Sequence, residues 1–206
     1  EENREVDGKK TVISMVTYLI ANVIGMAISL VALPVLTNLL STAEMGIATS
    51  FITLKNIVTI ILLLAMYISI DKIFVSVKDY NERYKYLSSI YIFSTIVAIL
   101  IYIVYFIFQV PINKMLGFNT QMMTLMVLMC ILINGCTLMV ANWNFCNKAK
   151  YTFLYNLLAS PISQILSIIL VLILPSEKYL GRIIGVDFFN IVLGFVFGIV
   201  ILKKGK

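Results

Sequence analysis

Long apolar runs dominate the chain, and short polar links separate them. Six runs reach the roughly 20 residues that a helix needs to cross a bilayer, over 12–35, 43–70, 84–108, 119–146, 152–174 and 180–202. The pattern predicts an all-α, polytopic membrane protein in which residues 1–206 form one six-helix lobe. Pro34 is expected to kink or end the first helix, and a loop containing Pro111 is expected between the third and fourth helices.

Lys55 interrupts the second apolar run near its middle. It lies about 15 Å along a helix from Glu44, close to the centre of a hydrocarbon core about 30 Å thick. A charge at this depth is costly in lipid, so Lys55 should face protein or water. The same helix carries polar side chains on one broad side at Thr49, Thr53, Asn56 and Thr59. We therefore expect a wet, cationic face, the alternative being that Lys55 pairs with one buried acid or carbonyl and only supports packing.

Polar and small residues recur at helical spacing in four other runs. The stripes are Ala21, Gly25 and Ser29; Asn134, Thr137, Ala141 and Asn144; Asn156, Ser160, Ser163 and Ser167; and Asp187, Asn190, Gly194 and Gly198. The first is typical of close helix packing. The others, together with the second helix, indicate a hydrated cavity suited to an anionic, hydrogen-bonding cargo such as a phosphate-linked sugar. The alternative is that these side chains only join helices.

The side chains that we expect to line this cavity come from four of the six runs. They are Thr53, Lys55, Asn56, Asn134, Asn144, Asn156, Ser160, Asp187 and Asn190.

Composition agrees with a membrane protein and offers little catalytic chemistry. The chain is 61% hydrophobic and 13% charged, whereas soluble domains are nearer 45–50% apolar and 25% charged. It has no histidine, and its three cysteines lie in one apolar run, which gives neither a disulfide framework nor a zinc spacing. No acid–base pair falls in one predicted site. We therefore expect a protein that is not an enzyme and that has no catalytic residue, no metal and no other cofactor.

Basic residues are distributed unevenly between the two sides of the predicted membrane. Twelve of the sixteen lysines and arginines lie on the side that holds both termini, three lie opposite, and Lys55 lies within the second run. Basic loops remain in the cytoplasm, so both termini are expected there. This orientation accounts for the net charge of +6, and we expect no nucleic-acid partner.

Two motifs carry a family resemblance. The run LPVLTNLLSTAEMG at 33–46 resembles the signature that closes the first helix of Wzx-type polysaccharide flippases, although Asn38 stands where an arginine is more usual. GRIIG at 181–185 is similar to the opening of that family's sixth helix. The number of spans, the cytoplasmic termini and the loop lengths also match the family's N-terminal half, so the resemblance covers nearly the whole chain. These flippases belong to the superfamily of multidrug, oligosaccharidyl-lipid and polysaccharide exporters.

The resemblance implies a transporter of the bacterial inner membrane. Its cargo would be an undecaprenyl-diphosphate-linked oligosaccharide for capsule, O-antigen or exopolysaccharide, and Lys55 would be a cavity cation of the first of two lobes. The partners would be this lipid-linked oligosaccharide, membrane lipid, and a second lobe supplied by a missing C-terminal half or by a second copy.

Three other functions compete with this one. A multidrug exporter of the same superfamily is disfavoured because no acid lies within residues 12–35, where proton-coupled exporters resemble one another in having an aspartate. A non-transporting scaffold, or a truncated remnant, would use the stripes only for packing. An enzyme acting on lipid-linked sugars would need an acid–base set that the sequence does not bring together.

Overall fold

The structure is a computed structural model that describes residues 2–63, 77, 79–146 and 148–205. Within these ranges, side chains are described at residues 16, 19 and 20. They are also described from residue 23 onward, except at 80, 81 and 149. The chain in these ranges forms α-helices joined by short turns, with no strand among them. The helices are α1 (Glu2–Leu39), α2 (Thr42–Leu63), α3 (Tyr80–Ile107), α4 (Gln109–Leu116), α5 (Thr120–Phe145), α6 (Ala149–Ile173) and α7 (Lys178–Lys204).

Of the six spans that the hydropathy pattern predicts, five correspond to helices that are long and apolar enough to cross a membrane. They are α2, residues Glu82–Ile107 of α3, α5, residues Lys150–Ile173 of α6, and α7. Within α1, residues Val23–Leu39 form a shorter apolar stretch. The described part of the chain is therefore all-helical and has the helices of a multi-pass membrane protein. Residues 64–70 of the second predicted span, and Lys72 and Lys78 in the link that follows it, lie outside the described residues.

One expectation about a proline is narrowed and one is corrected. Of the kink or end expected at Pro34, the end is excluded, because α1 continues through it to Leu39; Pro161 likewise lies inside α6. The predicted loop around Pro111 contains the eight-residue helix α4, which ends at Gly117 with φ 69°. Pro111 occupies the first turn of α4, where a missing backbone N–H leaves no helical hydrogen bond unmade. The left-handed conformation at the end of α4 favours glycine.

The chain divides into two compact units. Unit 1 comprises Glu1–Ala48 with Trp143–Phe189, and unit 2 comprises Thr49–Asn142 with Asn190–Lys206.

In unit 1, α1 packs against α6 over a small apolar core. Ala32 and Leu36 of α1, and Leu40 directly after it, bury their side chains against Val171 of α6. α1 has no side chain at Gly25, where a Cβ would lie 3.2 Å from the Cβ of Ser160. This contact agrees with the packing role expected for the small-residue stripe, because a larger residue at Gly25 would hold α6 away.

Hydrogen bonds close the turn that follows α1 in unit 1. The Ser41 N–H donates to the Glu44 carboxylate at 2.8 Å, and the Glu44 N–H donates to Ser41 Oγ at 3.3 Å, which is a capping box. Lys178 Nζ donates to the Leu39 carbonyl at 3.0 Å and satisfies a free acceptor at the end of α1. Two polar positions of the 33–46 motif, Ser41 and Glu44, therefore have a local structural function at the start of α2.

In unit 2, glycines allow helix backbones to approach closely. A Cβ at Gly194 of α7 would collide with the Leu132 carbonyl of α5, and one at Gly135 would collide with the Gly194 carbonyl. At Gly198 a Cβ would lie 2.7 Å from the Tyr91 hydroxyl of α3. The glycines on the Asp187–Gly198 stripe are thus packing positions, and they fix where the polar residues of α5 lie relative to the C-terminal part of α7.

Candidate functional site

The polar residues of α2 lie on two different sides of that helix. Lys55 is only 4% exposed and shares the buried side with Ala48, Phe51 and Leu62. Thr49, Ser50, Thr53 and Asn56 are exposed, and we call these four residues the α2 polar strip. The expectation that Lys55 shares its face with Thr53 and Asn56 is therefore corrected. At about 100° per residue, Thr53 points roughly 160° away from Lys55 around the helix.

The α2 polar strip is unusual for a surface at membrane depth. Asn56 is about 21 Å along α2 from Thr42, and the helix around it is apolar. An amide exposed to hydrocarbon has no hydrogen-bond partner, which costs several kcal/mol. By contrast, the exposed side chains in the middle of α3 are apolar, including Ile96, Ile99 and Ile103, and suit contact with lipid.

Lys55 lies where α2 meets α5 in unit 2. The Lys55 carbonyl accepts a 2.9 Å hydrogen bond from Thr59 Oγ1 and a weaker one from Cys130 Sγ at 3.8 Å. Thr59 Oγ1 and Cys130 Sγ are 3.4 Å apart. Lys55 also takes part in further interactions. The buried lysine thus lies beside a hydroxyl and a thiol where α2 meets α5.

Asn134 follows Cys130 by one turn of α5 and is fully buried. Its side-chain oxygen and nitrogen have no hydrogen-bond partner among the residues that the structure describes. Leaving such groups unpaired costs about 1–3 kcal/mol, so the amide is a destabilising feature of the fold. The backbone carbonyl of Asn190, also in unit 2, accepts a hydrogen bond from Cys136 Sγ at 3.5 Å.

The remaining four candidates lie in unit 1. The exposed Asn144 accepts a 2.7 Å hydrogen bond from Thr152 Oγ1, and Ser160 Oγ donates to the Gly25 carbonyl at 3.0 Å. Asn156 is half-buried on α6, and Asp187 is 5% exposed on α7. Thr53, Lys55, Asn56, Asn134 and Asn190 belong to unit 2. The nine candidates are therefore divided between the two units, and the serine stripe of α6 contributes to helix packing in unit 1.

A hydrogen-bond network surrounds Arg182 in unit 1, and the sequence pattern did not predict it. Arg182 Nη1 donates to Gln164 Oε1 at 2.9 Å and to Ser167 Oγ at 3.1 Å, and the side chain also interacts electrostatically with Asp187. Gln164 Nε2 in turn donates to Ser29 Oγ at 3.3 Å. The network links α1, α6 and α7. The only signal in the sequence was a charge in the first turns of an apolar run, here within the GRIIG motif.

Comparison with the models of known protein families, with characterised proteins and with solved structures finds no match to this chain.

Proposed function

We propose that the protein is a membrane transporter, and that its cargo is an undecaprenyl-diphosphate-linked oligosaccharide moved across the bacterial inner membrane for surface polysaccharide synthesis. In this proposal the chain spans the membrane six times with both termini in the cytoplasm. It forms one lobe of the transport pathway, and a C-terminal lobe or a second copy forms the other.

The α2 polar strip is the observation that carries the proposal. Hydroxyl and amide groups at membrane depth need water, another protein surface or a polar cargo, because lipid offers them no partner. Because the strip continues to Asn56, we interpret this side of α2 as a wall of a hydrated pathway and not as a lipid-facing surface. Lys55, one residue away on the buried side, adds positive potential close to this wall, which favours a diphosphate-linked cargo.

A non-transporting scaffold is the second candidate, and a specific observation favours it. Ser160 and Ser167 in the α6 stripe form hydrogen bonds to neighbouring helices of unit 1. Such bonds in membranes are worth roughly 0.6 kcal/mol each and serve assembly. The scaffold alternative explains the stripe of α6 but leaves the exposed amide of Asn56 unexplained.

A transport assay in proteoliposomes tests the proposal. The full gene product is reconstituted with a fluorescent polyprenyl-diphosphate oligosaccharide, and movement between leaflets is followed by loss of protection from a membrane-impermeant quencher. We expect transport, and we expect the double variant Thr53→Val, Asn56→Leu to lose most of it, because the polar wall is removed. Both residues are exposed, so the helices should remain packed.

Two controls make the result specific. Ile96→Val and Ile103→Leu, on the exposed apolar side of α3, should leave transport unchanged. Lys55→Ala should insert normally into the membrane and transport poorly, since the pathway loses its nearest buried cation. Normal transport in the polar-strip variant would contradict the pathway, and transport of a cationic dye with no movement of the lipid-linked sugar would favour the multidrug alternative.

A further inference from the structure

A groove lies between α3 and α5 in unit 2. It encloses about 180 Å³ and is lined by Ile99, Tyr102, Thr124, Val127, Leu128 and Ile131. A single water needs about 10–15 Å³ of such space, so the groove has room for a short hydrocarbon segment. Ile99 and Leu128 are about half exposed, which leaves the groove open along its length.

The hydroxyl donors in the groove are already satisfied. Thr124 Oγ1 donates to the Thr120 carbonyl at 2.8 Å, so the 2.8 Å contact between Tyr102 and Thr124 is a hydrogen bond donated by Tyr102. The walls therefore offer no unused donor to a polar ligand. Apolar side chains and satisfied hydroxyls together favour a hydrocarbon chain as the occupant.

The depth of the groove matches an acyl chain. Tyr102 and Thr124 are about 6–8 Å from the end of α3 and the start of α5, and Ile99 and Ile131 are about 12–16 Å from them. These levels lie below the headgroups, inside a hydrocarbon core whose half-thickness is about 15 Å.

Helix α4 stands above the groove at the membrane surface. Tyr105 donates to Asn113 Oδ1 at 2.9 Å, Asn113 Nδ2 donates to Thr120 Oγ1 at 3.2 Å, and Thr120 Oγ1 donates to Gln109 Oε1 at 3.4 Å. These bonds attach one side of α4 to α3 and α5. On its other side Val110 is 74% exposed and Met115 is 84% exposed.

The exposed side of α4 also carries a cation. Lys114 is exposed between Val110 and Met115, in the last turn of the helix. Apolar side chains with an adjacent lysine are typical of a helix that lies in the interface plane and attracts anionic headgroups. The ring of Tyr105 lies 5.8 Å from that of Tyr102, which connects the anchored side of α4 to the groove wall.

We propose that unit 2 carries a binding site for one anionic phospholipid, with the headgroup phosphate at Lys114 and an acyl chain in the α3–α5 groove. The site is separate from the transport pathway and does not depend on the cargo. Its function would be to hold α4 in the interface and to fix α3 against α5, which gives the protein a requirement for an anionic lipid.

Photochemical capture from a bilayer of known composition tests the site. The full chain, with photoleucine, a diazirine analogue of leucine's own size, in place of Leu128, is placed in nanodiscs holding equal amounts of phosphatidylglycerol and phosphatidylcholine. Mass spectrometry then gives the ratio of the lipids captured. We expect about a fivefold preference for phosphatidylglycerol, the factor that one lysine near a membrane surface supplies. The same photoreactive residue at the exposed Ile165 of α6 should capture the two lipids about equally.

Two variants separate the headgroup from the chain. Lys114→Gln should bring the capture ratio at position 128 close to one, whereas Lys150→Gln, at another exposed lysine, should leave it unchanged. Val127→Phe fills the groove and should reduce the total amount captured at position 128. Equal capture of the two lipids by the unaltered chain would overturn the proposal, as would a preference that survives Lys114→Gln. In nanodiscs that also hold a polyprenyl phosphate, its capture ahead of phosphatidylglycerol would overturn the choice of occupant.

Discussion

A half-buried arginine in an apolar helix is tolerated when its donors and its charge find partners, and Arg182 meets this condition in unit 1. It donates to Gln164 and Ser167, and the buried carboxylate of Asp187 lies within electrostatic range. Lys55 could be found from sequence because it is a single charge deep in a long run. The Arg182 network could not, because Gln164 and Arg182 are 18 residues apart and are joined only by the packing of α6 on α7.

Replacing Arg182 tests this network. Arg182→Met should lower the free energy of unfolding by about 1.5–3 kcal/mol, because two charge-assisted hydrogen bonds disappear and Asp187 loses its cation. Lys85→Met, at an exposed lysine of α3, should change it by no more than about 0.5 kcal/mol. Thermal denaturation in detergent gives both values. Equal stability of the two variants would show that the Arg182 bonds contribute little.

For the unpaired amide of Asn134 we predict the opposite effect, a gain in stability when the side chain is replaced. Asn134→Val removes a buried group without a partner among the described residues, so the melting temperature should rise. Asn144→Val is the matched control. It leaves the buried hydroxyl of Thr152 without its 2.7 Å acceptor and should lower the melting temperature, by the equivalent of about 1–2 kcal/mol.

The two measurements also bear on function. A gain in stability together with a loss of transport in Asn134→Val would indicate that the polar group is retained for activity. A fall in the melting temperature of Asn134→Val would instead mean that the amide is hydrogen-bonded in the folded protein.

At the scale of helices, apolar length predicted most of what the structure shows. Five of the predicted spans match helices long enough to cross a membrane, because some 20 apolar residues have few other stable arrangements. The errors in the predicted elements lie at helix ends, where local interactions determine the boundaries. Pro34 gave no sign that α1 continues to Leu39, and Pro111 was read as part of a loop although a proline is compatible with the first turn of α4.

Close helix contact at glycine gives a prediction at the same scale. Gly194→Ala should lower the free energy of unfolding by about 1–3 kcal/mol, because its Cβ would collide with the Leu132 carbonyl and force α7 away from α5. Gly46→Ala in α2 is the control, since nothing lies within 4 Å of the added carbon. That variant should gain about 0.5–1 kcal/mol from helix propensity. A similar effect at both positions would show that the contact between α5 and α7 is not tight.

At the scale of the whole molecule, the sequence could suggest which residues are polar inside the membrane but not how they are grouped. Helical periodicity placed Thr53 and Asn56 on one side of α2, and the structure leaves that side exposed. The same periodicity separates Lys55 from Thr53 by about 160°, but which of the two sides is buried depends on α5 and Cys130, which are distant in sequence. The division of the nine candidates between two units likewise follows from tertiary contacts.

The exposed side of α2 therefore provides the sharpest prediction about the molecule as a whole. In a chain whose three cysteines are replaced by alanine, Thr53→Cys and Asn56→Cys should react with a membrane-impermeant maleimide. A thiol must ionise to react, and only a hydrated surface allows this. Ile96→Cys and Ile103→Cys, exposed on the apolar side of α3, should react far more slowly because lipid surrounds them. Equally slow labelling at all four positions would mean that the α2 polar strip is dry, and a water-filled transport pathway along α2 would then be excluded.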